Sequence, residues 1–574
     1  MRTFHRLILV FAALLSFQSA AHCTEPVDPV FTAMESELHR SINHLFFDEM
    51  PKPYFLSYKI QDNDYIHVAS RYGALTHSSR QQNRYLTIDL RVGNPARDNS
   101  YFVRDWRDLY NMRDELPIDD DIQGLRHHLW LLTDTAYKTA LENLSRKEAY
   151  LQANPPKEEI PDMSVAEPNI YLEEPMLLKT TPEEWEKEVT SIAEVLREFR
   201  ELQDWSVEYI GVSVNKRFIN SEGSRTLSGY LYQYLEVKAT AQASDGQRLS
   251  NFYRIALRDD DPLPAREKLT ADVRKMAIEL QEMVSAPALD EYAGPVLFEG
   301  YAAAQFFSQL FISQLSPARA PLVAEEWIKD QLPDSKLAGK LNRRIFPEFI
   351  TVTDEPSRKK WEGAACLGHR SVDDEGVPCR DIALVKAGRL TTLPMTRRPI
   401  KKLAETNGHA RSLQNQWTVP GITTLVIKSD KTNKDLHNEL RRLCKEFGNE
   451  YGLLITRIDD PDVSRPYQWT EQNNDGNALL TSPIIMYCVY ADDGRIEPVR
   501  GLGFDEVTIR SLRDVVIMGK DPKLFNFRQT TGFSGIRYPA SIITPSILIE
   551  EMEFKDAMIR EPLPLTQNPI FLKE

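Results

Sequence analysis

The strongest constraint on the fold is a change of pattern near residue 290. Ahead of it, stretches with apolar residues at helical spacing alternate with long segments in which polar and apolar residues take turns. Beyond it, short β-like segments follow one another between glycines and prolines. The first pattern predicts helices over about 29–47, 119–152, 182–202 and 263–285, with strands over 54–60, 65–70, 84–92, 206–214, 227–240 and 248–257. The second predicts strands over 348–352, 423–428, 452–457, 484–490 and 515–517, with helices only at 302–315 and 433–447. Such a succession is α+β. It places an N-terminal domain of antiparallel sheet and long helices at 24–290, and a C-terminal, mostly antiparallel and barrel-like β domain at 291–574.

At 574 residues the chain exceeds what one hydrophobic core holds, which agrees with that division. Its 84 acidic residues outnumber 70 basic ones, for a net charge of −14. No nucleic-acid surface is expected, because phosphate recognition needs clustered Lys and Arg. The basic pairs Arg397-Arg398 and Lys401-Lys402 read as solvated faces. At the N-terminus, Arg2, His5 and Arg6 precede an apolar run over 7–17 and then Ser19-Ala20-Ala21, the pattern of a secretory signal peptide ending near residue 23. The expectation is an exported protein, periplasmic or extracellular. A lipoprotein anchor at Cys23 ranks second, since His22 stands where a small residue belongs. No other stretch is long and apolar enough for a membrane helix.

Asp373, Asp374 and Glu375 stand side by side in the segment 371–381, where Gly376 and Pro378 mark a turn, and a hairpin with its turn at Lys386-Ala387-Gly388 follows. Two readings of this acidic loop stay open. It is a solvated hairpin entrance, where three like charges cost little, or it lines a cleft in which neighbouring carboxylates shift one another's pKa and serve as acid, base or metal ligands. Cys366 and Cys379 flank the loop at a separation that a disulfide closes in an oxidising compartment. Cys444 and Cys488 complete the internal set, and the absence of any C-x-x-C pair argues against a structural zinc site.

The order of Gly294-Pro295-Val296, the loop from Asp373 to Pro378, the turn Gly388-Arg389-Leu390, the run from Asp493 to Gly501 and the Thr544-Pro545-Ser546 segment resembles the TldD/PmbA family, with Asn220-Ser221-Glu222-Gly223 as a looser match. The resemblance implies two-domain subunits that pair as a homodimer, or as a heterodimer with a TldD-like zinc subunit. It also implies kinship with zinc peptidases acting on unfolded or modified peptides. TldD-type members carry His-Glu-x-x-x-His on the helix after the Gly-Pro-Val strand. Counted without gaps, that motif falls on Ser308-Gln309-Leu310-Phe311-Ile312-Ser313, where neither imidazole nor the water-activating carboxylate is present. The family's late Cys ligand has no counterpart either, for no Cys follows Cys488. The resemblance therefore implies a PmbA-like pseudoenzyme with no metal site of its own, in which zinc is supplied only by a partner.

Other constellations carry less. His39 and His44 lie five apart on one helix, and His127 and His128 are adjacent, so each pair diverges. His369 and His409 flank the acidic loop and are the one alternative metal set. Phe307 and Phe311 read as core or dimer interface, with a substrate groove as the sharper alternative. Two functions result: a non-zinc subunit that binds peptide or a catalytic partner, and an independent hydrolase using Asp373, Asp374 and Glu375 with Arg500.

Overall fold

The computed structural model describes residues 28–557 except 48, 104–113, 259–260, 262, 317–318, 320, 324–326, 328–334, 336, 413–417, 465–479 and 532–535. The signal-peptide segment and Cys23 lie outside the described residues. No described helix is long and apolar enough to cross a membrane.

The N-terminal half runs through α1 (Pro29–His44), β1 (Pro53–Arg71), β2 (Ala74–Asn94), α2 (Ile122–Ala153), α3 (Pro182–Val195), β3 (Leu202–Asn220), β4 (Arg225–Gln242), β5 (Arg248–Leu257) and α4 (Arg266–Ser285). Local signals set the helix starts. Asp28 accepts from Val30 N at 2.9 Å ahead of Pro29, and Thr181 N donates to Glu184 Oε2 at 3.1 Å ahead of Pro182. The long strands pair antiparallel in the order β2-β1-β3-β4-β5.

One expectation needs correction here. The segments 54–60 and 65–70 are not two strands but one, β1. The polar run Gln61-Asp62-Asn63-Asp64 reads as a turn, yet both neighbouring strands carry it through the ladder. Asp62 accepts from Arg84 and Arg217 at 2.5 Å each, Asp64 from Arg80 at 2.6 Å, and Asn63 donates to Asn83 at 2.7 Å.

Because side chains alternate across a strand, the sheet has two distinct faces. Leu56, Tyr58, Ile60, Ile66 and Val68 of β1 enter the cores formed with the four helices. The opposite face carries Ser57, Lys59 and Gln61 of β1, Lys216 of β3, and Glu236 of β4, all buried. Tyr230, Tyr232 and Tyr234 follow one another on this face of β4, with ring centroids 6.1 and 5.2 Å apart. The C-terminal half covers this second face.

That half contains β6 (Glu291–Phe298), α5 (Tyr301–Leu310), β7 (Ile350–Asp354), β8 (Ile382–Lys386), β9 (Thr424–Ser429), α6 (Leu436–Phe447), β10 (Tyr451–Ile458), β11 (Pro483–Tyr490), β12 (Ile496–Val499), β13 (Val515–Gly519), β14 (Lys523–Thr531), β15 (Ile536–Thr544) and β16 (Ile547–Asp556). One sheet runs β13-β16-β6-β10-β11-β12, the other β8-β7-β9-β15-β14. The β6–β10 and β9–β15 pairs are parallel. The architecture is thus mixed α+β as expected, but the barrel-like expectation is corrected: two open sheets form, and no closed barrel exists among the described residues. The reason lies in the core, where Phe306, Phe307 and Leu310 of α5 join Phe298 and Ile455 of one sheet to Val352, Leu425 and Ile542 of the other. A helix inserted between two sheets holds them apart as layers.

Candidate functional site

The acidic loop is built by its own side chains. Asp373 N donates to Val377 O at 2.9 Å and Cys379 N to Ser371 O at 2.9 Å, closing a tight turn. Inside it, Asp373 Oδ1 accepts from Glu375 N and Val377 N at 2.9 Å each, and its Oδ2 accepts from Ala410 N at 3.0 Å. Gly376 supplies the left-handed residue, φ 78°, and a Cβ there would lie 2.7 Å from the Phe218 ring. The loop is pressed against the sheet of the N-terminal half.

This placement corrects the reading of an exposed hairpin entrance. Asp373 and Asp374 are 2% and 6% exposed, and Glu375 is half-buried. Asp373 is enclosed by backbone donors of its own loop and of Ala410, and Asp374 meets the polar face of the N-terminal sheet, so these two are not solvated. Asp374 Oδ2 accepts from Lys216 Nζ at 2.7 Å and from Ser412 N at 2.8 Å. Glu375 Oε2 accepts from Arg397 N at 2.7 Å, while Gly376 O accepts from Asn169 Nδ2 at 3.1 Å. Burial pushes the Asp373 carboxyl up to about 8, with the Glu375 charge adding to the effect and three backbone N–H groups opposing it. Burial acts likewise on Asp374, but Lys216, Lys59, Arg370 and Arg411 overcome it and hold the carboxyl well below its ordinary value. Burial lowers Lys216 to about 7 in spite of Asp374.

Cations crowd this junction. Lys59 and Lys216 come from the N-terminal sheet, Arg370 and Arg411 from the C-terminal half, and all four are buried. Arg370 lies over the Tyr230 ring at 4.5 Å and Arg411 faces Tyr538 at 5.9 Å. Sequence reasoning did not find these four residues. A Lys at an alternate strand position looks like a solvent-facing residue, and only the tertiary fold shows that this face is covered.

The other predicted residues are distributed as follows. Arg500 is not beside the acidic loop but clamps a different part of the junction, donating to Asp245 Oδ2 at 2.8 Å, Gln247 Oε1 at 2.5 Å and Ala286 O at 2.9 Å. Phe307 and Phe311 lie fully buried around Phe346, with centroids 6.2 and 5.1 Å away, so they are core rather than groove. Ser308 Oγ donates to Gln305 O at 3.2 Å and Ser313 Oγ to Gln309 O at 2.6 Å. Gln309 donates to Asp459 O at 2.9 Å and accepts from Thr481 N at 2.9 Å. His369 Nδ1 contacts Pro356 O at 2.8 Å. His409, fully buried, has Nε2 at 3.3 Å from Asp354 Oδ2 and Nδ1 at 2.9 Å from Asn407 Oδ1. Among the described residues no three His, Cys, Asp or Glu side chains are grouped to hold a metal.

Two more readings are corrected. Cys366 and Cys379 are free thiols: Cys366 packs on Val426 and Ile543, whereas Cys379 sits in the field of Arg411 and Asp373. Arg397 and Arg398 are not a solvated face either. Arg397 holds Glu222 through Nη1 and Nη2 at 2.5 and 2.9 Å, and Arg398 stacks 3.5 Å from the Tyr101 centroid. Lys401 does remain exposed, paired with Glu158 at 2.6 Å.

A polar-faced antiparallel sheet roofed by a double-sheet half with a central helix defines a class of α+β proteins, and comparison identifies it. Residues 291–556 match the PmbA/TldA metallopeptidase C-terminal domain. The match spans just under half of the chain, whose C-terminal part is thus similar to the TldD/PmbA family. A protein named metalloprotease from Methanothermobacter thermautotrophicus is 25% identical over 308 residues, which are 48% of this chain and 60% of that protein. One of the same name from Archaeoglobus fulgidus is 28% identical over 114 residues, covering 19% of this chain and 24% of its own. The fold is that of TldE from Thermococcus kodakarensis, at TM-score 0.57, 16% identity, and coverage of 91% of this chain and 99% of that one. A Thermotoga maritima protein named for a proposed role as modulator of a DNA gyrase superposes at TM-score 0.55 with 16% identity, covering 87% and 96% of the two chains.

Proposed function

We propose that this chain is an exported, non-zinc subunit of a TldD/PmbA-type assembly, binding peptide or a zinc-carrying partner in proteolysis. The observation that supports it most directly is the state of the helix that follows Gly294-Pro295-Val296. Ser308 and Ser313 hydrogen-bond back onto their own turns, and the Gln309 amide is tied to Asp459 and Thr481. A neutral amide with both ends engaged accepts no proton from a water, and serine hydroxyls do not replace imidazoles around zinc. Export rests on the charged, apolar and small-residue succession of residues 2–21.

The hydrolase alternative has less support. Asp373 closes its loop, Asp374 is paired with Lys216, and Arg500 works at another contact. The test is metal content of the purified mature protein by mass spectrometry, then peptide hydrolysis with and without chelator, alone and mixed with a zinc-motif homologue from the same organism. Cleavage appearing only in the mixture is expected. One zinc per chain with chelator-sensitive cleavage by the isolated protein would overturn the subunit reading.

A further inference from the structure

The cationic cluster under the acidic loop is not internally balanced. Arg411, at 1% exposure, donates Nη1 to Ala410 O at 3.0 Å, but among the described residues its buried Nε and Nη2 have no hydrogen-bond partner. Arg370, at 6% exposure, likewise has a buried Nε without a hydrogen-bond partner among the described residues. Lys59, at 5% exposure, stands in the same field as Asp374, which already bonds Lys216. Asp373 is occupied by three backbone N–H groups and Glu375 by Arg397 N.

An unmet buried donor is costly, and more so when it carries charge. Arg370 and Arg411 also repel each other. Such a group persists when an acceptor of opposite charge sits among its members. Guanidinium forks match a planar or tetrahedral oxyanion with parallel N–H bonds, and a lysine adds a point charge. The second charged network of the same junction shows what completion looks like. There Glu236 accepts from Arg254 at 3.0 Å and from Arg528 at 2.8 Å, and Asp462 Oδ2 accepts from the same two arginines at 2.9 and 2.6 Å. Both arginine forks are filled by carboxylates of the protein, whereas Arg370 and Arg411 feel the Asp374 charge but, among the described residues, donate a hydrogen bond to no carboxylate.

We infer that Lys59, Arg370 and Arg411 form a binding site for a small oxyanion, a carboxylate or a phosphate group, where the two halves of the chain meet. Pro378 and Arg380 of the covering loop are exposed, so the site lies just beneath the surface. A carboxylate has one evident source if the proposed function holds, the C-terminus of a bound peptide; a phosphate does not depend on that reading.

The test uses the full mature chain, freed of anions in a zwitterionic buffer. Thermal unfolding and titration calorimetry are run with inorganic phosphate, with acetate, with a short peptide bearing a free C-terminus, and with the same peptide amidated, against chloride at matched ionic strength. A saturable rise of several degrees with phosphate or the free-acid peptide is expected. It should vanish in Arg411→Met and Arg370→Met, whose unliganded melting temperatures should equal or exceed that of the wild type, because an unmatched buried charge is gone. If either variant fails to fold, Lys59→Met reads the same loss. Binding of the free acid but not the amide assigns the anion to a peptide terminus, and binding of phosphate alone assigns it to a free ion. No stabilisation by any oxyanion beyond chloride, or equal binding of acid and amide without phosphate binding, overturns the site. A chain that binds phosphate but activates no zinc homologue loses only the proposed function; one that activates it without binding oxyanions loses only this inference.

Discussion

Asp374 shows how one residue couples loop, sheet and charge. Its Oδ2 joins the Lys216 ammonium and Ser412 N, with side chains 2% and 7% exposed for Asp374 and Lys216. Removing one member of a buried pair leaves the other uncompensated, so Asp374→Asn should destabilise by about 3–5 kcal/mol in urea titrations at pH 7. Lys216 gives a signed pH dependence. Its folded pKa is about 7 against an ordinary 10.5, so between those values the unfolded chain binds the proton and the folded chain does not. Stability from this group therefore rises with pH across that window, by at most about 1.4 kcal/mol per pH unit. Relative to the wild type, Lys216→Met should flatten the rise in unfolding free energy measured from pH 7 to 10. The carboxylates of this site could be picked out from the sequence because three acids in a row are conspicuous. Lys59, Lys216, Arg370 and Arg411 could not, since an isolated cation in a strand or loop has the same local pattern whether solvent or another half of the chain covers it.

Among the elements, those set by local chemistry were readable and those set by partners were not. The hairpin after the acidic loop follows from its turn: Ala387 and Gly388 have φ of 45° and 71°, joining β8 to Arg389-Leu390. A Cβ at Gly388 would lie 2.3 Å from Phe346 O, so Gly388→Val adds a backbone collision to left-handed strain worth about 1–3 kcal/mol by itself. Thermal unfolding should show a clearly lower melting temperature for this variant, whereas Ala387→Gly at the neighbouring left-handed position should match or exceed the wild type. The Asp28 cap ahead of Pro29 is seen only in the structure, but helix α1 itself was equally plain from its apolar period. The 19-residue length of β1 was not, because Asp62 and Asp64 are acceptable in mid-strand only where Arg80, Arg84 and Arg217 stand opposite on two other strands. The two open sheets were also hidden, since short β segments look alike whether they close a barrel or lie on either side of α5.

Across the whole molecule, a series of charged pairs links the two halves. Arg397 holds Glu222, Arg500 holds Asp245, Arg457 reaches Asn251 and Glu279, Lys216 meets Asp374, and Arg254 and Arg528 share Glu236 and Asp462. Apolar links join them as well, with Leu367 against Tyr232 and Tyr234, and Ile485 entering the core beneath α3 and α4. Interfaces of this polar kind couple halves through geometry more than through buried area, so a defect at the centre of a network should loosen the coupling before it unfolds either core. Glu236, 2% exposed and accepting from an arginine of each half, is that centre. Glu236→Gln removes the charge while keeping the shape, leaving Arg254 and Arg528 to share the remaining acids; the expected cost is about 3–5 kcal/mol. Calorimetry should then resolve two heat-absorption peaks where the wild type gives one. Leu235→Ala, which opens a cavity in the core shared by β4 and α4, should cost about 2–5 kcal/mol yet keep one peak, because it weakens one half without touching the link. A single peak in Glu236→Gln at a lowered temperature would mean that apolar contacts such as Leu367 and Ile485 carry the cooperativity instead.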